Sequence, residues 1–74
     1  MFESIKQFLV EDLRKNPEAV TMDAELVGDL GINSLDFAEL VEACNEKFNV
    51  QIDDEDLNRF NTVRDIVEYL EENQ

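Results

Sequence analysis

The sequence predicts an all-α fold: a small four-helix bundle of three longer helices and one short one, with a long ordered loop between helices one and two. Three observations predict it. Apolar residues recur at helical spacing in separate segments. The strong local breakers, Pro17, Gly28 and Gly31, all fall within one stretch. No segment alternates apolar and polar residues for long enough to make a strand.

The first helix is expected over residues 2–15, where Ile5, Phe8, Leu9 and Leu13 recur on one face. Asn16-Pro17 should stop it, because the residue before proline avoids the α region. Residues 17–33 then form the long loop. Val20, Leu26, Val27 and Leu30 are spaced through it and should tuck it onto the helices, with a single turn near Thr21–Leu26. Ordered loops of this length are uncommon and often functional.

The second helix should run from 34 to 48 or 49. Asn33 is a good N-cap, and Asp36 in the first turn complements the helix dipole. Phe37, Leu40, Val41, Cys44 and Phe48 mark its apolar stripe. Residues 50–52 read as extended. A short third helix is expected over 53–60, with Leu57 and Phe60 on one face. The fourth should run over 62–72 around Val63, Ile66, Val67 and Leu70, opened by a Thr62/Asp65 variant of the capping box.

The chain has 74 residues, enough for one domain, 1–74, with a modest core. A deep catalytic cleft is hard to build at this size. Nineteen acidic residues face six basic ones, a net charge of −13 and a pI near 4.1. Such a surface suits cationic protein partners and repels nucleic acid and anionic membranes. One cysteine and no histidine rule out an internal disulfide, the usual zinc sites and Ser–His or Cys–His nucleophilic systems. No apolar run is long enough to span a membrane, and the first residues lack a signal-peptide pattern. A cytoplasmic monomer is the expectation.

Asp53-Asp54-Glu55-Asp56 is not an EF-hand, because neither register places Gly sixth and Glu twelfth. No dedicated metal site is expected, although loose divalent-cation binding by clustered carboxylates is. Cys44, on the core stripe, reads as a small buried residue. Tyr69 reads as a packing residue with its hydroxyl near the surface.

On a helical wheel of the second helix, Glu39, Glu42 and Glu46 lie opposite the apolar stripe. A charged face is usually just a solvated one. Leu35, however, falls among these carboxylates, beside Ser34 in the first turn. An apolar contact inside an acidic rim is the layout of a docking surface for a basic partner, and Ala38 widens it. Ser34 itself reads in two ways. It can be merely part of the helix start. It can also accept a phosphate group, which backbone amides and the dipole favour there. Without a nearby base it is no enzymatic nucleophile. An acceptor acted on by another enzyme needs none.

The stretch Asp29-Leu30-Gly31-Ile32-Asn33-Ser34-Leu35-Asp36 resembles the phosphopantetheine attachment motif of acyl carrier proteins. The resemblance covers essentially the whole chain, with Glu39-Leu40-Val41, Phe48, Ile52 and Thr62-Val63 at matching offsets. It implies a non-catalytic carrier whose Ser34 holds 4'-phosphopantetheine through a phosphodiester, added from coenzyme A by a phosphopantetheinyl transferase. The arm's thiol would hold acyl chains as thioesters. Acyl-transferring and chain-elongating enzymes with basic patches would meet Leu35, Asp36, Ala38, Glu39, Glu42 and Glu46. The resemblance also makes Leu26, Leu30, Cys44, Ile52, Leu57, Phe60, Ile66 and Tyr69 candidates for an acyl pocket, and plain core packing is compatible with each. Among such carriers, the Met1 start and lack of a flanking linker point to the free-standing fatty-acid type. Polyketide, specialised-lipid or aminoacyl carriers, or an acidic cation-responsive module, are the alternatives. Asn33 stands where the family usually has Asp, and Glu42 where fatty-acid carriers are often apolar.

Overall fold

The computed structural model describes residues 1–73; Gln74, the last residue of the expected domain, and the side chain of Asp54 in the acidic run lie outside the description. Four helices form among the described residues: α1 (Phe2–Glu11), α2 (Ser34–Phe48), α3 (Asp54–Leu57) and α4 (Val63–Glu72). No helix among them is long and apolar enough to cross a membrane.

Helix α1 buries Ile5, Phe8 and Leu9, as its periodicity requires. It ends at Glu11, short of the expected residue 15. The cause is a reversal upstream of Asn16-Pro17. Arg14 adopts a left-handed conformation with φ 60°. The Lys15 amide then folds back onto the Leu9 carbonyl at 2.9 Å. This turn drops Leu13 into the core instead of continuing the helix.

The loop after α1 is part of the core. Val20, Ala24, Leu26, Leu30 and Ile32 are all buried. Its backbone is pinned to the start of α4 by an isolated antiparallel bridge, Glu25 to Thr62. The Leu26 amide donates to the Asn61 carbonyl at 2.8 Å, and the Val63 amide donates to the Ala24 carbonyl at 3.1 Å. The Arg64 guanidinium adds an ion pair to Asp23 at 2.7 Å. A short turn closes at the expected place, Ala24 amide to Thr21 carbonyl, and a second follows at 25–30. The second ends at Gly31, whose φ of 64° lets the Ile32 amide return to the Leu26 carbonyl. Val27 departs from expectation. It lies on the outside of that turn and is 64% exposed.

Helix α2 begins where the cap residue demands. The Asn33 side chain accepts from the Asp36 amide at 2.8 Å, and the Asp36 carboxylate accepts from the Asn33 amide at 3.2 Å. That is a full capping box, with Asp in the place of the usual Glu. Asn49, left-handed at φ 56°, ends the helix. Leu40 and Cys44 are buried, whereas Phe37, Val41 and Phe48 are only half-buried. Helix α4 opens with the reciprocal Thr62/Asp65 box and buries Val63, Ile66, Val67 and Leu70.

Helix α3 is shorter than the expected 53–60. Asp53 precedes it in an extended conformation and makes no side-chain cap, so one turn forms. Phe60, three residues past its end, is buried as an anchor.

Candidate functional site

Ser34 is exposed in the first turn of α2, directly after the capping residue. The cap consumes the Asp36 amide, and Phe37 makes the first helical bond back to the Asn33 carbonyl. The amides of Ser34 and Leu35 precede any intrahelical acceptor, as in every helix start. They give this end of α2 a local positive field on a strongly anionic protein.

Leu35 is 69% exposed, as the wheel indicated. Asp36 is less free than the sequence suggested. Besides its role in the cap, it pairs with Lys15 Nζ at 3.4 Å. Lys15 is thus brought to the start of α2 by the reversal at Arg14. Its charge holds the cap carboxylate in place and ties the turn after α1 to the start of α2.

Two grooves run along α2. One, of about 500 Å³, is lined by Ser34, Phe37, Ala38, Val41, Leu57 and Asn58. Its walls are one face of α2 and the end of α3. Ser34 sits on its rim, and the lining inside is largely apolar. The second, of about 470 Å³, runs between the end of α1 and α2 and is more polar than apolar. Glu39, Glu42 and Glu46 line it, joined by Glu11 and Asp12 from the far side. Arg14 and Lys47 also line it, the Lys47 ammonium 5.5 Å from the centre of the Phe8 ring. The acidic face is therefore built by two elements, not by α2 alone. Among the described residues, no three acidic or thiol side chains converge as a metal site.

The eight candidate pocket residues separate cleanly. Leu26, Leu30, Cys44, Ile52, Phe60 and Ile66 are closed into the core. Leu57 alone lines the apolar groove. Tyr69 is half-buried, its ring meeting Phe60 edge-on at 5.4 Å. Its hydroxyl donates to the Asp56 carboxylate at 2.9 Å, with the Gln51 carbonyl at 3.3 Å. Phe37, Val41 and Asn58 were missed as groove residues. The signal was available for the first two: positions 34, 37, 38 and 41 share one helical face.

Cys44 is 1% exposed, and burial pushes its thiol from 9.0 up to about 11. The unfolded thiol ionises first, so the folded state is favoured below pH 9 and loses that advantage as pH rises through 11. The effect is on the order of 2 kcal/mol. The urea midpoint should therefore fall steeply across that interval, and more shallowly in Cys44→Ala. Equal slopes would show that the thiol is not the cause.

A family model described as the phosphopantetheine attachment site matches residues 3–70. The chain is 47% identical over 74 residues to an "Acyl carrier protein" of Wolinella succinogenes, covering 100% of this chain and 97% of that protein. It is 43% identical over 74 residues to an "Acyl carrier protein" of Helicobacter pylori, covering 100% and 95%. It is 40% identical over 72 residues to an "Acyl carrier protein" of Clostridium perfringens, covering 97% and 95%.

Proposed function

The chain belongs to the acyl carrier protein family, whose cofactor is 4'-phosphopantetheine, and from that premise we propose that Ser34 is the attachment point and that the protein carries acyl chains for fatty acid synthesis in the cytoplasm. The observation that carries the reading is the setting of Ser34: exposed in the first turn of α2, on the rim of an apolar groove, beside the exposed Leu35. The residues present fit the group. The first-turn amides favour the phosphodiester's negative charge, and the groove offers Phe37, Val41 and Leu57 to an apolar chain. When bound, the group supplies a thiol that holds an acyl chain as a thioester.

The chain's own residues act around that attachment. Ser34 Oγ must lose its proton as it is modified. There is no histidine, and Lys15 is engaged with Asp36, so the base belongs to the phosphopantetheinyl transferase. The chain is then a carrier and not a catalyst. Acyl-transferring and chain-elongating enzymes dock on Leu35 and Ala38 with basic groups over Glu39, Glu42 and Glu46. Asp36 contributes charge there mainly through the cap it holds. Phe37, Val41 and Leu57, not the closed core residues, receive the first carbons of the cargo.

Incubation with coenzyme A and a phosphopantetheinyl transferase of broad specificity should raise the intact mass by one phosphopantetheinyl group. Ser34→Ala should abolish the gain while keeping the helical circular dichroism, because Asn33 still caps the helix. A gain that survives Ser34→Ala would overturn the assignment. The mass of the thioester-bound group on protein purified from its own cells then tests the fatty-acid role.

A further inference from the structure

The apolar groove has two unequal walls. Helix α2 is long, fully capped, and anchored by the buried Leu40 and Cys44. Helix α3, which brings Leu57 and Asn58 to the opposite wall, has four residues and no side-chain cap. A helix of that length has no stability of its own. It stays where its anchors hold it. Two are apolar and flank it in sequence, Ile52 before and Phe60 after, and Leu57 packs on the core from within it. A polar anchor comes from another element. Tyr69 stands on α4 between the buried Ile66 and Leu70. Its hydroxyl reaches Asp56 within α3 at 2.9 Å and the Gln51 carbonyl ahead of α3 at 3.3 Å. Movement of α3 relative to α4 must stretch the contact to Asp56.

We propose that Tyr69 is a specificity-determining residue: by latching α3 to α4 through Asp56 and Gln51, it sets how large an acyl chain the groove beside Ser34 admits. This rests on the groove being the lodging place of a chain borne by Ser34. A short chain fits between Phe37, Val41 and Leu57 with the latch closed. A longer one needs α3 to shift, and the latch opposes the shift. Burial and the Asp56 carboxylate hold the Tyr69 hydroxyl above its usual ionisation, so it remains a donor through the neutral range. Tyr69 acts on the cargo through α3 and does not touch the thioester.

The test uses the full chain, loaded on Ser34 with saturated acyl groups of increasing length. Thioester cleavage by hydroxylamine is timed for each. In the parent, protection should rise with chain length and then level off. Tyr69→Phe keeps the ring and its contact with Phe60 and removes only the hydroxyl. It should move the plateau to longer chains and slow cleavage of the longest ones about fivefold, the size of one net hydrogen bond. Asp56→Ala should do the same. Asp56→Asn keeps an acceptor oxygen and should behave as the parent, which loosening of the fold alone would not produce. A plateau at the same length in Tyr69→Phe and the parent overturns the latch, as does identical behaviour of Asp56→Ala and Asp56→Asn. Absence of any length dependence in the loaded parent overturns the groove reading, and the latch with it.

Discussion

Leu26→Ala should leave much of the chain unfolded at room temperature, whereas Val27→Ala, one residue on, should change stability by less than about 0.5 kcal/mol. Leu26 is 0% exposed although it lies in no helix. Its amide is held by the Asn61 carbonyl at 2.8 Å and its carbonyl by the Ile32 amide at 2.9 Å. The backbone around it cannot readily collapse into a cavity. Truncation of such a leucine costs about 3 kcal/mol. A domain of this size rarely has more than about 5 kcal/mol to lose. Self-repulsion at a net charge of −13 lowers that further. Val27 is 64% exposed on the outside of the same turn and has little to lose. Urea titration followed by circular dichroism distinguishes the two. Leu26→Ala should show a truncated or missing folded baseline at low salt, partly restored by added magnesium or salt. A midpoint equal to the parent's would mean that the loop only covers the core.

That contrast marks where the sequence stopped being informative. Helix starts were legible because they are local. Asn33 and Thr62, each followed three residues later by an aspartate, carry the reciprocal hydrogen bonds in four consecutive residues. The apolar stripes of α1 and α4 were legible because periodicity is also local. The loop offers no period, so Leu26 and Val27 looked alike. What separates them is the bridge from Glu25 to Thr62, a contact between distant segments. The end of α1 was misplaced for a related reason. Pro17 announces a stop, but the chain turns earlier, at Arg14, a residue with no local mark of a left-handed conformation.

The candidate site was legible in outline and not in its boundaries. Leu35 and the glutamates of α2 follow from one helical wheel, and Ser34 from its place at a helix start and the resemblance of residues 29–36 to the attachment motif. The wheel also placed Phe37 and Val41 on the inward stripe, where they are. It does not say what covers them. Because α3 is a single turn and not an eight-residue helix, that part of the stripe stays uncovered and becomes a groove. Glu11 and Asp12 join the acidic face because α1 ends beside α2, which no reading of α2 alone contains.

Leu35→Ala should cut acyl transfer by partner enzymes about thirtyfold in kcat/KM while leaving the melting temperature of the carrier unchanged. Leu35 is 69% exposed, so its truncation opens no cavity and removes little folded-state contact. On the proposed docking face it is the largest apolar side chain within a rim of carboxylates. Such a residue, enclosed by polar contacts that exclude water, costs about 2 kcal/mol or more when truncated. The carboxylates should behave differently. Glu39 and Glu46 are exposed on the polar groove, where salt screens them. Charge reversal at Glu39 should lower the association rate with a basic partner, and the loss should shrink as ionic strength rises. The loss at Leu35→Ala should persist at high salt and appear in the dissociation rate. Stopped-flow binding of the loaded carrier to one partner enzyme, at low and high salt, separates the two contributions. If Leu35→Ala binds and transfers like the parent at every salt concentration, its exposure is incidental and Leu35 is no part of the docking face; Glu11 and Asp12, across the polar groove from the α2 glutamates, are then the next residues to mutate.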